Sequence, residues 1–292
     1  MGTALWRMSR PEQVLLIMVV FGVGVAASAA VHGEPIWSGV LSAMAALVPT
    51  AVSVHVVNEY ADHQTDALTR RTAFSGGSGA LSELGLDRRV ALWGAVGAAA
   101  LAAAVTAVGI VTGWLPAVAA VLVMVGLVGG WQYSVGPLRL SRRGLGEVAN
   151  AILGGLLLPV FGVAAATGRV EAVDLLLFVP FALLDFVNLL ETQWPDRVAD
   201  RLAGKRTLVS RVSPRVVRGL AVAATLLGYG LAVTLAGYLM LAALVVAALV
   251  SLPLSLWTLA RLTRVEQPLP GVLAMTTFIL AQGVAWTAVA AT

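Results

Sequence analysis

Apolar residues run along this chain in long blocks, broken by short polar or Gly/Pro-containing turns and by two longer polar segments. A helix needs about 20 mostly apolar residues to cross a bilayer. Nine stretches qualify: 14–33, 36–57, 90–111, 115–133, 145–167, 172–190, 215–236, 238–258 and 270–290. The pattern predicts an all-α integral membrane protein, a nine-helix bundle forming a single transmembrane domain over residues 1–292. The two long connections, 58–89 and 191–214, each carry acidic residues close to where a span ends. In the first, Asn58, Asp62 and Asp66 are spaced i, i+4, i+8 and share one face of a helix. In the second, Asp196 and Asp200 repeat the i, i+4 spacing.

Composition supports the membrane reading. Hydrophobic residues make up 59% of the 292 and charged residues 12%, against about 25% charged in a soluble domain. The chain has no cysteine, which excludes disulfides and thiolate metal sites. Its three histidines are scattered, which argues against zinc. The first apolar run is long enough to span and carries no clear cleavage site before a soluble region, so no cleavable signal peptide is expected. A pI near 10.1 raises the question of nucleic acid, but the placement of the basic residues answers it. With the N-terminus cytoplasmic, Arg169 alone of the 19 Lys and Arg falls on the outer side. That asymmetry is a positive-inside signal; it supports the span count, puts both acidic motifs on the cytoplasmic side and leaves no need for a nucleic-acid partner. Four spans separate the two motifs, which hints at two four-helix halves plus a ninth helix, with a site at their interface.

Carboxylates at membrane depth are costly and imply function. Magnesium binds carboxylate oxygens and completes its shell with waters and substrate phosphates, so paired motifs of this kind suit a metal-bridged diphosphate. Metal bridging also makes diphosphate a better leaving group. Basic residues flank both motifs: Arg70 and Arg71 after the first, Arg201, Lys205 and Arg206 after the second. Guanidinium groups bind phosphate oxygens bidentately and lysine binds them as a point charge. The Phe74-Ser75-Gly76-Gly77-Ser78-Gly79 run is either a flexible loop or a set of backbone N–H groups for an anion. Alone, Asp196 and Asp200 read equally as a solvated loop face beside arginines; the two motifs together on one side favour a site.

Asn58-x3-Asp62-x3-Asp66 and Asp196-x3-Asp200 resemble the two aspartate-rich motifs of the UbiA superfamily of intramembrane prenyltransferases. The Asp200–Leu208 stretch resembles the segment after the second motif of that family. Tyr133–Arg139, followed by Gly144–Glu147, is similar to a stretch in the dihydroxynaphthoate branch, which serves menaquinone synthesis. The resemblance covers nearly the whole chain. It implies a UbiA-like bundle in which a polyprenyl diphosphate binds through two magnesium ions held by Asn58, Asp62, Asp66, Asp196 and Asp200. The diphosphate ionises to an allylic carbocation, and a lipophilic aromatic acceptor captures it. By position, Arg70, Arg71, Arg139, Arg201, Lys205 and Arg206 are expected around the diphosphate. Position 59 is Glu where quinone-pathway members often carry Asp. Some superfamily members cyclise the prenyl diphosphate without an acceptor, so a terpene cyclase is the first alternative. An ion-coupled transporter with inverted repeats is the second, though its carboxylates belong nearer the midplane.

Asp185, Asn188 and Glu191 are three apart on the sixth span and continue a polar stripe into the membrane. They read either as acceptor binding and proton abstraction or as an interhelical hydrogen-bonded network. Glu147 reads as a partner of Arg142 or Arg143, or as a catalytic group. Tyr60, Trp131, Tyr133, Phe181, Phe186 and Trp194 are candidates to line a carbocation, and equally interfacial anchors. His55 reads as a helix-packing residue or a member of the same cavity.

Overall fold

The computed structural model describes residues 2–69, 71, 76–239 and 241–292. Every regular element among them is helical. A short helix α1 (Gly2–Ser9) precedes the first span, α2 (Pro11–His32), and α3 (Trp37–Asp66) follows. After α4 (Ala80–Glu83) come α5 (Arg89–Val111), α6 (Ala117–Ser134), α7 (Gly146–Thr167) and α8 (Ala172–Gln193). Two short helices, α9 (Arg197–Leu202) and α10 (Leu208–Arg211), lead to α11 (Pro214–Tyr238), α12 (Ala242–Arg261) and α13 (Leu269–Ala290). Among the described residues, nine of these helices are long and apolar enough to cross a membrane, and the protein is a multi-pass membrane protein.

The spans close into a ring. α3 packs on α2, α5 and α6; α6 on α7; α7 on α8; α8 on α11; α11 on α12; and α13 on α12 and back on α2. Lipid tails are as apolar as leucine, so close backbone approach, more than hydrophobic segregation, holds such a bundle together. Gly24 and Gly162 show this where α2 crosses α7. A Cβ on Gly24 would lie 1.9 Å from Pro159 O, and one on Gly162 would lie 2.2 Å from Phe21 O. Buried Ala43, Ala46, Ala164 and Ala165 continue the small-residue seam, while Val111, Leu226 and Val284 point outward.

The span boundaries depart from the hydropathy reading in places that matter. The second span extends nine residues past position 57, to Asp66, so the first motif belongs to α3 and not to the connection. α7 contains a π-helical stretch, Ala151–Leu157, and the eighth span is two helical segments meeting at Ser251. The α1 arm was not anticipated. It buries Ala4 and Met8 against Val56, Val57 and Leu81 on the face that carries both motifs.

Candidate functional site

The first motif follows helical register. Asn58, Asp62 and Asp66 stack along one face of α3 and line a cavity of about 550 Å³. Helix α8 ends before Pro195, whose ring disfavours helix in the residue preceding it, and α9 restarts at Arg197 with Asp196 at its N-cap position. The Asp196 side chain makes no capping bond and faces the same cavity, as does Asp200. Helix α9 then ends in a Schellman turn. Gly204 adopts φ 70, Lys205 N donates to Asp200 O at 2.7 Å and Gly204 N to Arg201 O at 3.1 Å. That reversal brings the Lys205 side chain back over its own helix, with Nζ 2.8 Å from Asp62 Oδ2 and 3.8 Å from Asp200 Oδ1. Lysine thus joins motifs that lie more than 130 residues apart.

The cavity gathers unpartnered oxygens. Asp62 Oδ1, Asp196 Oδ1, Asp200 Oδ1, Thr65 Oγ1 and Gln193 Oε1 are buried with no hydrogen-bond partner, and all five residues line it. Buried polar atoms are nearly always satisfied, so this concentration marks a place for a ligand. The donors are hard oxygens, which suit magnesium. Among the described residues, no three His, Asp or Glu side chains converge tightly enough to form a ready metal cage. Lys205 occupies the space between two of the carboxylates. A site of few protein ligands, completed by substrate phosphates, matches that spacing better than an all-protein cage. Asn58 is steadied by Ser134 Oγ, which donates to its Oδ1 at 3.0 Å, and Tyr133 closes one wall.

Burial pushes the Asp196 carboxyl up to about 7, the charge of Asp200 adds to the rise, and Lys205 opposes it. Burial likewise raises Asp200, while Asp62 and Asp200 hold the Lys205 ammonium charged well above its usual range. The sign for Asp196 follows from linkage. Its pKa is higher folded than unfolded, so its contribution to stability is full below about pH 4, the unfolded carboxylate value, and is lost as pH rises to about 7. Thermal unfolding of metal-free protein from pH 5 to 8 should therefore show stability falling with pH, and Asp196→Asn should flatten that fall. An unchanged slope in the variant would contradict the burial of this carboxylate.

The other sequence candidates divide. Arg71 lines the cavity, donates to Ser78 O and pairs with Glu83. Arg139, Arg201 and Arg206 are exposed and are not part of the cavity wall: Arg201 sits on the outer face of α9, and Arg139 and Arg206 on connections that turn them to solvent. Arg70, Phe74 and Ser75 lie outside the described residues. Asp185 and Asn188 are buried on α8, with Asn188 in hydrogen-bonding reach of the Asp185 carboxylate, below the cavity wall. Glu191 is 2% exposed and accepts from Gly271 N at 2.5 Å. One of its oxygens therefore caps the first turn of α13. Glu147 pairs with neither Arg142 nor Arg143. It accepts from Leu208 N at 2.7 Å and so caps α10, while Arg142 donates to Ala61 O at 2.7 Å. His55 contacts Ser9 O at 2.8 Å as a packing residue. Trp131 donates to Ser53 Oγ, Trp194 and Phe186 pack in one apolar cluster, and Phe181 in another. Tyr60 lies under Arg88. Of the six aromatics, only Tyr133 lines this cavity.

Arg10, Glu12, Thr65 and Gln193 line the cavity without having been singled out from sequence. Arg10 and Glu12 belong to an arm and helix start that the hydropathy pattern leaves undefined. Thr65 and Gln193 carried a weak signal, as polar residues one position from motif register.

Comparison with known families now has a geometry to meet. Residues 15–288 match the model of the UbiA prenyltransferase family. The chain belongs to that family. It is accordingly a prenyltransferase, and its fold is that of solved UbiA homologues. A UbiA homolog from Archaeoglobus fulgidus bound to GPP and Mg2+ superposes with a TM-score of 0.69 at 16% identity, covering 98% of this chain and 99% of that one. The apo structure of a UbiA homolog from Aeropyrum pernix K1 gives 0.68 at 21% identity, covering 94% and 97%. A digeranylgeranylglyceryl phosphate synthase structure gives 0.65 at 13% identity, covering 98% of each chain. No curated protein sequence matches the chain.

Proposed function

We propose that this UbiA-family enzyme transfers a polyprenyl group from its diphosphate to a lipophilic, aromatic, quinone-precursor acceptor, with magnesium, at a cavity opening on the cytoplasmic side. One observation carries the proposal: unpartnered carboxylate oxygens of both motifs, Asp62, Asp196 and Asp200, face a single cavity around Lys205. The UbiA homolog bound to GPP and Mg2+ supports the substrate class and the metal. The distribution of arginines in the connections supports the cytoplasmic side. The Tyr133–Arg139 and Gly144–Glu147 stretches support a quinone-type acceptor.

Asn58, Asp62, Asp66, Asp196 and Asp200 would hold the metal ions, and Lys205, Arg71 and Arg10 would meet the diphosphate oxygens. Magnesium, when bound, would neutralise charge on the leaving diphosphate. Lys205 keeps a positive charge beside that group throughout, and Tyr133 presents an aromatic wall to the prenyl carbon. Asp185 stands on the same stripe of α8 as Leu189 and Thr192, which line the cavity, one helical turn deeper than Leu189. In this reading it receives the acceptor or its proton. Asp185→Asn should lower acceptor prenylation by at least about a hundredfold, the lower end for losing a positioned proton acceptor, and leave diphosphate release nearly unchanged. Equal loss in both steps would remove Asp185 from acceptor capture.

The test is a product assay on protein purified in lipid, given a polyprenyl diphosphate and magnesium, with and without dihydroxynaphthoate. A prenylated naphthoquinone formed only with acceptor is the expected result. A cyclic hydrocarbon formed without acceptor would overturn the transferase reading in favour of a cyclase.

A further inference from the structure

Glu59 is a buried carboxylate that takes no part in the cavity wall. It follows Asn58 directly and so points about 100° away from the motif face of α3. It is 3% exposed. Its oxygens accept from Arg10 Nη2 at 2.5 Å, Ser78 N at 2.9 Å and Ser78 Oγ at 2.7 Å. Asp62, Asp196 and Asp200 each keep an oxygen without a partner; Glu59 keeps none. Its chemistry is therefore that of an anchor and not of a metal ligand.

What it anchors reaches both motifs. Gly76 and Gly77 adopt φ of 82 and 68, so the turn into Ser78 needs glycine. A Cβ on Gly77 would lie 2.1 Å from Asp66 Oδ2, which puts this backbone directly against the first motif. The N–H of Gly76 is in hydrogen-bonding reach of the Asp196 carboxylate in the second. The outer side of the turn is held by Arg71 and Arg7, which donate to Ser78 O at 2.6 and 3.1 Å. Arg10, the other end of the clamp, joins α1 to α2 in a left-handed conformation at φ 51, rare for a residue with a side chain. One buried carboxylate thus ties the N-terminal arm, the motif helix and the turn lying across both motifs.

We propose that Glu59 is a positioning residue that fixes the Gly76–Ser78 turn across the two carboxylate motifs, and so sets the substrate affinity of a site it does not enter. The proposal rests on the diphosphate reading above. Charge-assisted bonds are stronger than neutral ones, so Glu59→Gln weakens the clamp without removing its bulk. The cost of ordering the turn then falls on substrate binding.

Two measurements on the full chain in lipid test this, in Glu59→Gln and in the milder Ser78→Ala. Hydrogen exchange of the Ser78–Glu83 amides in substrate-free protein should quicken by at least about tenfold. KM for a prenyl diphosphate in magnesium-dependent diphosphate release should rise about tenfold, with kcat changed less than about threefold. Ser78→Ala should show the same pattern at smaller size. Unchanged exchange in both variants would overturn the clamp, and so would a fall in kcat at unchanged KM, which would place Glu59 in the chemistry itself. A parent protein that releases no diphosphate from any prenyl diphosphate would refute the diphosphate reading alone, because the exchange measurement needs no substrate.

Discussion

Asp62→Ala and Asp196→Ala should each lower magnesium-dependent diphosphate release by at least about a thousandfold, the upper range for removing one group that stabilises charge in a transition state. Each variant removes an oxygen that is buried, unpartnered and directed into the cavity. The bonds that each carboxylate does make, Asp62 to Lys205 and Asp196 to the Gly76 N–H, lie within the site, so loss of activity should far exceed loss of structure. The variants should also differ from each other. Asp62 is the 2.8 Å partner of Lys205, and its removal leaves that ammonium with Asp200 at 3.8 Å. Asp196 forms no ion pair of that length; its removal relieves repulsion with Asp200 and gives up the Gly76 N–H. Thermal unfolding of the metal-free proteins should therefore place Asp62→Ala below the parent and below Asp196→Ala. Full activity in either variant would sink the metal assignment.

Lys205→Met should separate metal binding from catalysis. The Lys205 side chain is 13% exposed, and that of Asp62 is 9%. Removing one member of a buried ion pair typically costs about 3–5 kcal/mol, because the remaining charges are left uncompensated. Diphosphate release should fall about a hundredfold, the lower range for losing one charge-stabilising donor. The response to magnesium should move the other way. With the ammonium gone, Asp62 and Asp200 are free for the metal, so magnesium alone should raise the unfolding temperature of the variant more than that of the parent. An identical magnesium response in both proteins would show that Lys205 does not share its place with the metal.

The spans and the site were not equally legible. A bilayer demands long apolar runs, so the nine spans stood out, and the asymmetry of arginines in the connections ordered them. The first motif was legible because Asn58, Asp62 and Asp66 obey helical spacing. That α3 carries on past Val57 was missed, because hydropathy stops where the apolar residues stop and backbone hydrogen bonding does not. Lys205 was legible as a charge for the diphosphate, but not as a partner of the first motif. Its approach to Asp62 depends on the turn at Gly204, a three-dimensional reversal. Glu191 and Glu147 each read two ways from sequence, and both give an oxygen to helices that begin far along the chain, at Leu269 and Leu208. Acidic side chains that serve remote backbone donors have the same one-dimensional signature as those that serve a ligand. Glu59 shows the converse: its partners Arg10 and Ser78 lie on opposite sides of it in sequence, and no local spacing joins them.

The central claim is that the two acidic motifs form one site. The most direct test is a double-mutant cycle on magnesium-dependent binding of a non-ionising prenyl thiolodiphosphate, using Asp62→Asn, Asp196→Asn and the pair. Groups that share a ligand are expected to show a coupling of about 0.5–3 kcal/mol, whereas distant independent sites add within about 0.5 kcal/mol. The account predicts strong coupling, with the double variant little worse than either single one. Additive losses would mean that the motifs bind separately, and would contradict it.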